Sequence, residues 1–298
     1  MYGCFAEQML KEKMLKVDLH LHTTASDGSD TPSELIAKAK EAGLEVISVT
    51  DHDTLAGSAL AASLPYDGVK VITGIEFSCC TEGEDGFDCH ILGYGFDPSD
   101  PTLLAAIRHG REMRLFKLGA RLKYLKEHFD IEFCEDEIAW LHSLNSVARP
   151  HLAMLLIKRG LATDVADAFD KYLKVGGFPD DRIDAKEAIE AILAAGGIPV
   201  YAHPLGGERE ARISSDELTK RVTTLKSMGL MGLECLYSRY SKDDAELLIS
   251  LANEKDLLVS GGSDYHGENK TVVLGSLSSD GTVYDGSQIT VIDRLNSK

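Results

Sequence analysis

Short apolar runs with polar residues set among or just after them recur along the chain, at KVDLHLH (16–22), EVISVT (45–50), VKVITGIEF (69–77), DCHILGYGF (88–96), GIPVYAH (197–203), LMGLECL (230–236) and KDLLVSGG (255–262). Their length and β-branched content predict strands. Helical patterns separate most of them. At 31–42, Thr31 is placed to cap, Pro32 suits the first helical position, Glu34 completes a capping box and Gly43 ends the helix. Asp184 with Glu187 predicts the same device before AIEAILAAGG. Alternating strands and helices imply a parallel sheet, and polar residues gathered at strand ends imply a barrel whose active face is its carboxyl end. The alternation fails from about 99 to 182, which reads as helix throughout and is assigned to an insertion over the barrel mouth. The expected organisation is an N-terminal extension (1–15), a barrel (16–98 and 183–298) and a helical cap (99–182).

Composition changes this picture little. With 298 residues, 44% of them hydrophobic and 27% charged, the chain can bury a large core. No apolar run approaches the roughly 18 residues of a membrane span, and the opening MYGCFAEQMLKEKMLK lacks a long apolar core and a cleavage site. A cytoplasmic protein with no membrane partner is expected. The net charge of −17 argues against stable binding to duplex nucleic acid, because counterion release needs basic surface. It leaves room for an anionic substrate, since divalent cations make a pocket locally positive. Six cysteines without a C-x-x-C pair are read as reduced.

The candidate chemistry lies in nine side chains that are mostly placed at strand ends: His20, His22, Asp27, His52, Glu76, His90, His203, Asp264 and His266. Imidazole and carboxylate without thiolate suit manganese, zinc or iron in a site that keeps positions open for water and substrate. In Asp18-Leu19-His20-Leu21-His22 the period of two puts the polar side chains on one strand face, so two imidazoles can grip one cation. Asp18 is left either orienting an imidazole or capping backbone. His52 follows a strand directly, with Asp53 read as a helix cap. Glu76 ends an apolar strand, where a buried carboxylate is costly unless it is paired or metal-bound. His90 begins a strand, His203 ends one, and the glycines of GGSDYHG bring Asp264 and His266 close to the site.

Taken together, DLHLHT (18–23), TDHD (50–53), GIEFS (74–78) with His90, AHP (202–204) and GSDYH (262–266) resemble the polymerase and histidinol phosphatase (PHP) superfamily in its motif order. The resemblance implies a distorted (β/α)7 barrel holding two or three divalent metal ions, manganese first, with zinc or iron fitting the same donors. It implies that His20, His22, Glu76 and Asp264 hold one metal and Asp27, His52 and His266 a second. Glu76 would bridge to a third held by His90 and His203. SDGSDTPSEL, CHILGYGFD, Arg149-Pro150-His151 and GGIPVYAHPLG are similar to the branch of small phosphoesterases that includes the TrpH-type proteins. That branch includes enzymes removing the 3′-phosphate of nucleoside 3′,5′-bisphosphates, with related 5′-to-3′ exonuclease action on short RNA. The chain departs from it at Tyr240, where relatives often carry histidine, and at FPDDRID after KYLKVGG.

The expected function is therefore hydrolysis of the 3′-phosphate of a nucleoside 3′,5′-bisphosphate to the 5′-monophosphate, by a water whose pKa a bound cation lowers from 15.7 towards about 7. A 5′-to-3′ exoribonuclease acting on short RNA comes next, then a histidinol-phosphate phosphatase, then a non-catalytic nucleotide sensor. Arg149 and His151 in the insertion are the expected substrate contacts, and Arg149 and His203 the catalytic candidates beyond the metals. Arg108, Arg111, Arg114, Lys117 and Arg121 form a basic helical stripe, read as a solvated face in preference to a phosphate guide. His109, His128 and His142 are assigned no role.

Overall fold

Strands β1 (Val17–Leu21) and β2 (Val46–Val49) are buried at every position, as parallel strands covered on both faces must be. The computed structural model describes residues 14–65, 68–83, 86–174, 182–208 and 210–297. Cys4, most of the proposed N-terminal extension and the FPDD part of the departure noted above lie outside them. Between β1 and β2 runs α1 (Pro32–Glu41), opened by the capping box of Thr31 and Glu34, with Gly43 beyond its end at φ 73°. Then come α2 (Ala56–Ser63), β3 (Lys70–Cys80), β4 (Asp88–Tyr94) and a helical stretch of α3 (Pro101–Phe129), α4 (Glu135–Ser143), α5 (Arg149–Lys158) and α6 (Val165–Ala168), with a π-helical turn at Phe169–Leu173. The chain returns through β5 (Ile183–Asp184), α7 (Ala185–Ala194), β6 (Ile198–Tyr201), α8 (Ser215–Ser227), β7 (Gly232–Tyr237), α9 (Lys242–Glu254), β8 (Leu258–Gly262) and α10 (Thr290–Asn296).

The sheet runs β1-β2-β3-β4-β6-β7-β8, with β5 beside β3. It is the expected α/β barrel-like sheet, nearly closed, but it is not wholly parallel. Strand β4 is antiparallel to both β3 and β6. The reason is length: residues 81–87 join β3 to β4, and a parallel crossover needs about a dozen residues or more. The reversal brings the amino end of β4, with His90, to the mouth where the parallel strands present their carboxyl ends. Strand β3 also runs on to Cys80, so Glu76 sits inside it and does not end it. Asp184 caps α7 through the Lys186 N–H, whereas Glu187 turns away from the cap and pairs with His109 at 3.0 Å.

The helices of 101–173 carry their own apolar cluster, in which Leu118, Leu125, Leu141, Leu152, Leu156 and Phe169 meet. A separate cluster joins Leu19, Leu92, Val200 and Leu236 of the sheet to Val291 and Ile292 of α10. Among the described residues no helix is long and apolar enough to cross a membrane, and the described cysteines are free thiols.

The seam between β8 and β1 is closed by backbone and by Asp18. The Asp264 N–H donates to the His20 carbonyl and the His22 N–H to the Tyr265 carbonyl, each at 2.9 Å. Asp18 accepts from the N–H groups of Ser263 and Gly275 at 2.8 Å, and burial pushes its pKa up to about 6. Asp18 therefore clamps backbone and orients no imidazole. Gly262 permits the close approach, because a Cβ there would stand 2.2 Å from the His20 Cβ and 2.5 Å from its N. Gly262→Ala is expected to cost about 1–3 kcal/mol through overpacking, read as a lowered Tm, and an unchanged Tm would show that the seam tolerates side chains.

Candidate metal centre

One carboxylate organises the mouth of the barrel. Glu76, almost wholly buried, has five imidazoles around it: His20 Nε2 at 3.3 Å, His22 Nε2 and His52 Nδ1 at 3.1 Å, His90 Nδ1 at 2.9 Å and His203 Nε2 at 3.4 Å. Strands β1, β3 and β4 and the turns after β2 and β6 each contribute to this ring. The turn after β8 adds Asp264, whose Oδ1 lies 3.6 Å from His20 Nε2 and 3.4 Å from His22 Nε2. His266 Nε2 is 3.3 Å from Asp27 Oδ1. The structure thus brings all nine candidates together. His203 and Asp264 hold left-handed backbone, φ 31° and 59°, a conformation costly for non-glycine residues and concentrated at functional sites.

Eight of the nine donors fall into three groups, each with its atoms within 4.8 Å of one another: His22, Asp27, His52 and His266; His20, His22 and Asp264; His52, Glu76 and His90, so that His52 stands with Glu76 and His90 where His203 was expected. The fit to cations rests on polar atoms left over. Among the described residues His20 Nε2, His22 Nε2, His52 Nδ1 and Glu76 Oε2 are buried with no hydrogen-bond partner, although several approach one another within 3.3 Å. Unpaired buried polar atoms are expensive, and four converging on one space are what a nitrogen- and oxygen-ligated cation would satisfy.

Protonation among these side chains follows the same crowding. Burial opposes ionisation of Glu76, but the surrounding imidazoles outweigh it and hold the carboxyl well below the usual range. His22 is pushed up to about 9: burial favours its neutral form, and the Asp264 and Glu76 carboxylates close beside its ring prevail. His52 moves the other way, because burial dominates there. A cation needs neutral imidazole, so binding must expel the His22 proton anywhere below about pH 9. Metal affinity is expected to rise with pH, by up to about tenfold per unit for each proton released, until that proton is gone. Calorimetry in buffers of different ionisation enthalpy measures the released protons, and a pH-independent affinity would contradict this balance.

Sequence reasoning missed the residues that hold the ligands. Glu234 of β7 is fully buried; its Oε1 meets His20 Nδ1 at 2.8 Å and its Oε2 accepts from the His203 N–H at 2.7 Å. The signal was present, since Glu234 is an acid inside an apolar strand just as Glu76 is. Tyr237 donates to Asp264 Oδ2 at 2.9 Å, and Lys270 Nζ lies 2.7 Å from the same oxygen, with no comparable signal for either. Asp51 ties down the turn after β1, accepting from the Thr23 N–H at 2.7 Å and the Ser26 hydroxyl at 2.6 Å.

Asp53 does not cap a helix. Helix α2 starts after Leu55, and Asp53, at φ 51°, receives the Arg114 Nε at 2.5 Å and the Ser78 N–H at 3.0 Å. Arg114 also donates to Ser78 Oγ at 2.7 Å and to the Val147 carbonyl at 3.4 Å, fastening the helical segment to the strands that carry His52 and Glu76. The basic stripe is accordingly split. Arg114, Lys117 and Arg121 line a cavity of about 260 Å³ over the centre together with Arg149, whereas Arg108 and Arg111 do not. Arg149 is exposed at the rim, its guanidinium 5.1 Å from the Phe169 ring centre. His151 is outside that lining: it is buried, and its Nδ1 accepts from the Ala148 N–H at 3.0 Å. Tyr240 is also set back, with its hydroxyl receiving the Leu205 N–H at 2.7 Å and so steadying the turn that follows His203.

Residues 18–195 match the family model described as the PHP domain. A 5′-3′ exoribonuclease of Haemophilus influenzae is 34% identical, over 84% of this chain and 90% of its own length. A 3′,5′-nucleoside bisphosphate phosphatase of Chromobacterium violaceum is 32% identical, over 85% and 88%. Among solved structures, a protein assigned as a metal-dependent phosphoesterase from Bifidobacterium adolescentis superposes with a TM-score of 0.78 at 28% identity, covering 94% of this chain and 96% of that one.

Proposed function

From the premise that the chain belongs to the PHP domain family and is a metal-dependent hydrolase of phosphate esters, we propose that it removes the 3′-phosphate of a nucleoside 3′,5′-bisphosphate, leaving the 5′-monophosphate. The observation that carries this reading is the pairing of a carboxylate-and-imidazole centre with a cationic wall, Lys117, Arg121 and Arg149, across one cavity. A substrate with two phosphates can present one to each. The likeness to the bisphosphate phosphatase of Chromobacterium violaceum supports the choice of substrate.

His20, His22, Asp27, His52, Glu76, His90, His203, Asp264 and His266 would hold two or three divalent ions, manganese first, with Glu76 supplying the central carboxylate. Bound there, such ions supply charge neutralisation at the phosphoryl oxygens and acidify water. The protein does the positioning. Arg149 grips the substrate through paired N–H donors, which a planar guanidinium presents to phosphate oxygens. Lys117 and Arg121 add charge for the second phosphate. His203 is given a ligand's duty ahead of a proton donor's, because its Nε2 faces Glu76 at 3.4 Å and Glu210 stands 3.8 Å from its Nδ1. The segment 99–182 is assigned as a cap domain that sets the distance between the two phosphates, and His151 as a support of that cap through Ala148.

The likeness to a 5′-3′ exoribonuclease at 34% identity favours a second reading, release of nucleotides from the 5′ end of short RNA. Manganese-loaded protein incubated with adenosine 3′,5′-bisphosphate is expected to yield AMP and inorganic phosphate, identified by mass spectrometry. An untouched bisphosphate would reject the first reading and direct the search to histidinol phosphate and to a non-catalytic sensor.

A further inference from the structure

Two cavities meet at His90 and His203, one of about 260 Å³ over the metal centre and one of about 780 Å³ beside it, and Lys270 lines only the first. The other cations on that lining are already accounted for. Arg114 is bound to Asp53 and Arg182 to Asp88, while Lys117, Arg121 and Arg149 form the wall assigned to the second phosphate. Lys270 comes from the barrel, one residue beyond the short turn Gly267–Asn269 that follows His266. That turn is tied to the loop carrying Asp27: the Glu268 N–H donates to Ser29 Oγ at 2.8 Å and Asn269 Nδ2 to the Asp27 carbonyl at 2.9 Å. Lys270 Nζ donates to Asp264 Oδ2 at 2.7 Å, and the other oxygen of that carboxylate faces Nε2 of His20 and His22 at 3.6 and 3.4 Å. One carboxylate therefore separates the ammonium from the ligand atoms of the centre.

Holding Asp264 does not by itself account for a lysine here. The buried Tyr237 hydroxyl already donates to the same oxygen at 2.9 Å, and Tyr237 is not part of the cavity lining. An ammonium has three N–H groups, and the one hydrogen bond described for Lys270 uses one of them. The side chain keeps 20% exposure where it lines the cavity, so the remaining donors are open to a ligand seated over the centre. We infer that Lys270 is a catalytic residue, its ammonium contacting a non-bridging oxygen of the phosphate under attack. A phosphate monoester brings about two negative charges at neutral pH, and phosphoryl transfer spreads charge over the non-bridging oxygens as the transition state forms. A cation held in place by Asp264 meets that charge without reorganising. This assignment rests on the reading above, in which the cationic wall of the cap holds the 5′-phosphate and leaves the 3′-phosphate to the metal centre.

Manganese-loaded wild type, Lys270→Met, Lys270→Gln and Lys270→Arg are compared for turnover of adenosine 3′,5′-bisphosphate, for metal content by plasma mass spectrometry and for inhibition by AMP, whose one phosphate is the 5′-phosphate. The uncharged variants should lose at least about 100-fold in kcat/KM, the cost of removing one preorganised donor from transition-state charge. Their metal content and AMP inhibition constant should stay within about twofold of the wild type, and the guanidinium of Lys270→Arg should restore at least about tenfold of the lost rate. If metal leaves along with activity in both uncharged variants, Lys270 only supports Asp264 and the assignment fails. A weakened grip on AMP would make it an anchor for the 5′-phosphate, and a metal-replete uncharged variant with the wild-type rate would leave it no role. Either result overturns the assignment and leaves the phosphatase reading standing. A wild type that leaves the bisphosphate untouched removes that reading and this one together.

Discussion

Glu76→Gln is expected to abolish hydrolysis, by at least about a thousandfold in kcat/KM, which corresponds to about 4 kcal/mol of transition-state stabilisation. The amide keeps the shape of the side chain, so the fold should persist. What it removes is the charge to which five imidazoles are turned, at 2.9 to 3.4 Å. With that charge gone, a cation among those rings loses its shared anionic ligand, and the bound metal measured by plasma mass spectrometry should fall along with the rate. Full activity with undiminished metal would mean that Glu76 is only a hydrogen-bond acceptor for His90, and the assignment of the centre would fail.

The second large effect lies one layer away from any ligand atom. Removing Glu234 strips His20 of its 2.8 Å partner and the His203 N–H of its acceptor in a fully buried setting. Breaking a buried pair of this kind costs about 3–5 kcal/mol, and losing the group that orients a metal-bound imidazole costs about 10–100-fold in affinity or activity. Glu234→Ala should therefore unfold at lower temperature and bind metal more weakly than Glu234→Gln, whose amide can still accept one of the two hydrogen bonds. Equal metal affinity in wild type and Glu234→Ala would show that His20 is held without it. Glu76 and Glu234 look alike in the chain, each an acid inside an apolar strand, yet one faces the reactants and the other the ligands.

That contrast marks how far local pattern reaches. His20, His22, His52, His203, Asp264 and His266 announce themselves because each sits at or just beyond a strand's carboxyl end, and parallel strands must present those ends together. His90 follows a different rule: it opens its strand, and only the reversal of β4 carries it to the same mouth. Arg114 was lost within a periodic row of cations, since helical spacing shows which residues share a face but not what that face meets. Asp53 is the partner that distinguishes Arg114, 61 positions away along the chain. His151, expected as a substrate contact, sits at a helix start where its ring nitrogen satisfies the Ala148 N–H, a placement that no local pattern gives.

By itself the sequence determined the strands, the helix caps at Thr31 and Asp184, the interruption of the barrel by helices and the donor set of a nitrogen- and oxygen-ligated metal centre. These follow from hydrophobic periodicity and from the cost of burying a charge, both of which act over a few residues and can be read in order along the chain. Tertiary structure alone decided that Glu76 gathers five imidazoles, that Glu234 stands behind His20 and Lys270 behind Asp264, that four cations of α3 and α5 close over the centre while Arg108 and Arg111 stay outside, and that two cavities meet at His90 and His203. Those facts depend on which distant segments the barrel brings within hydrogen-bonding range. Contact between separate segments of the chain leaves no periodic trace, because it is set by packing in three dimensions.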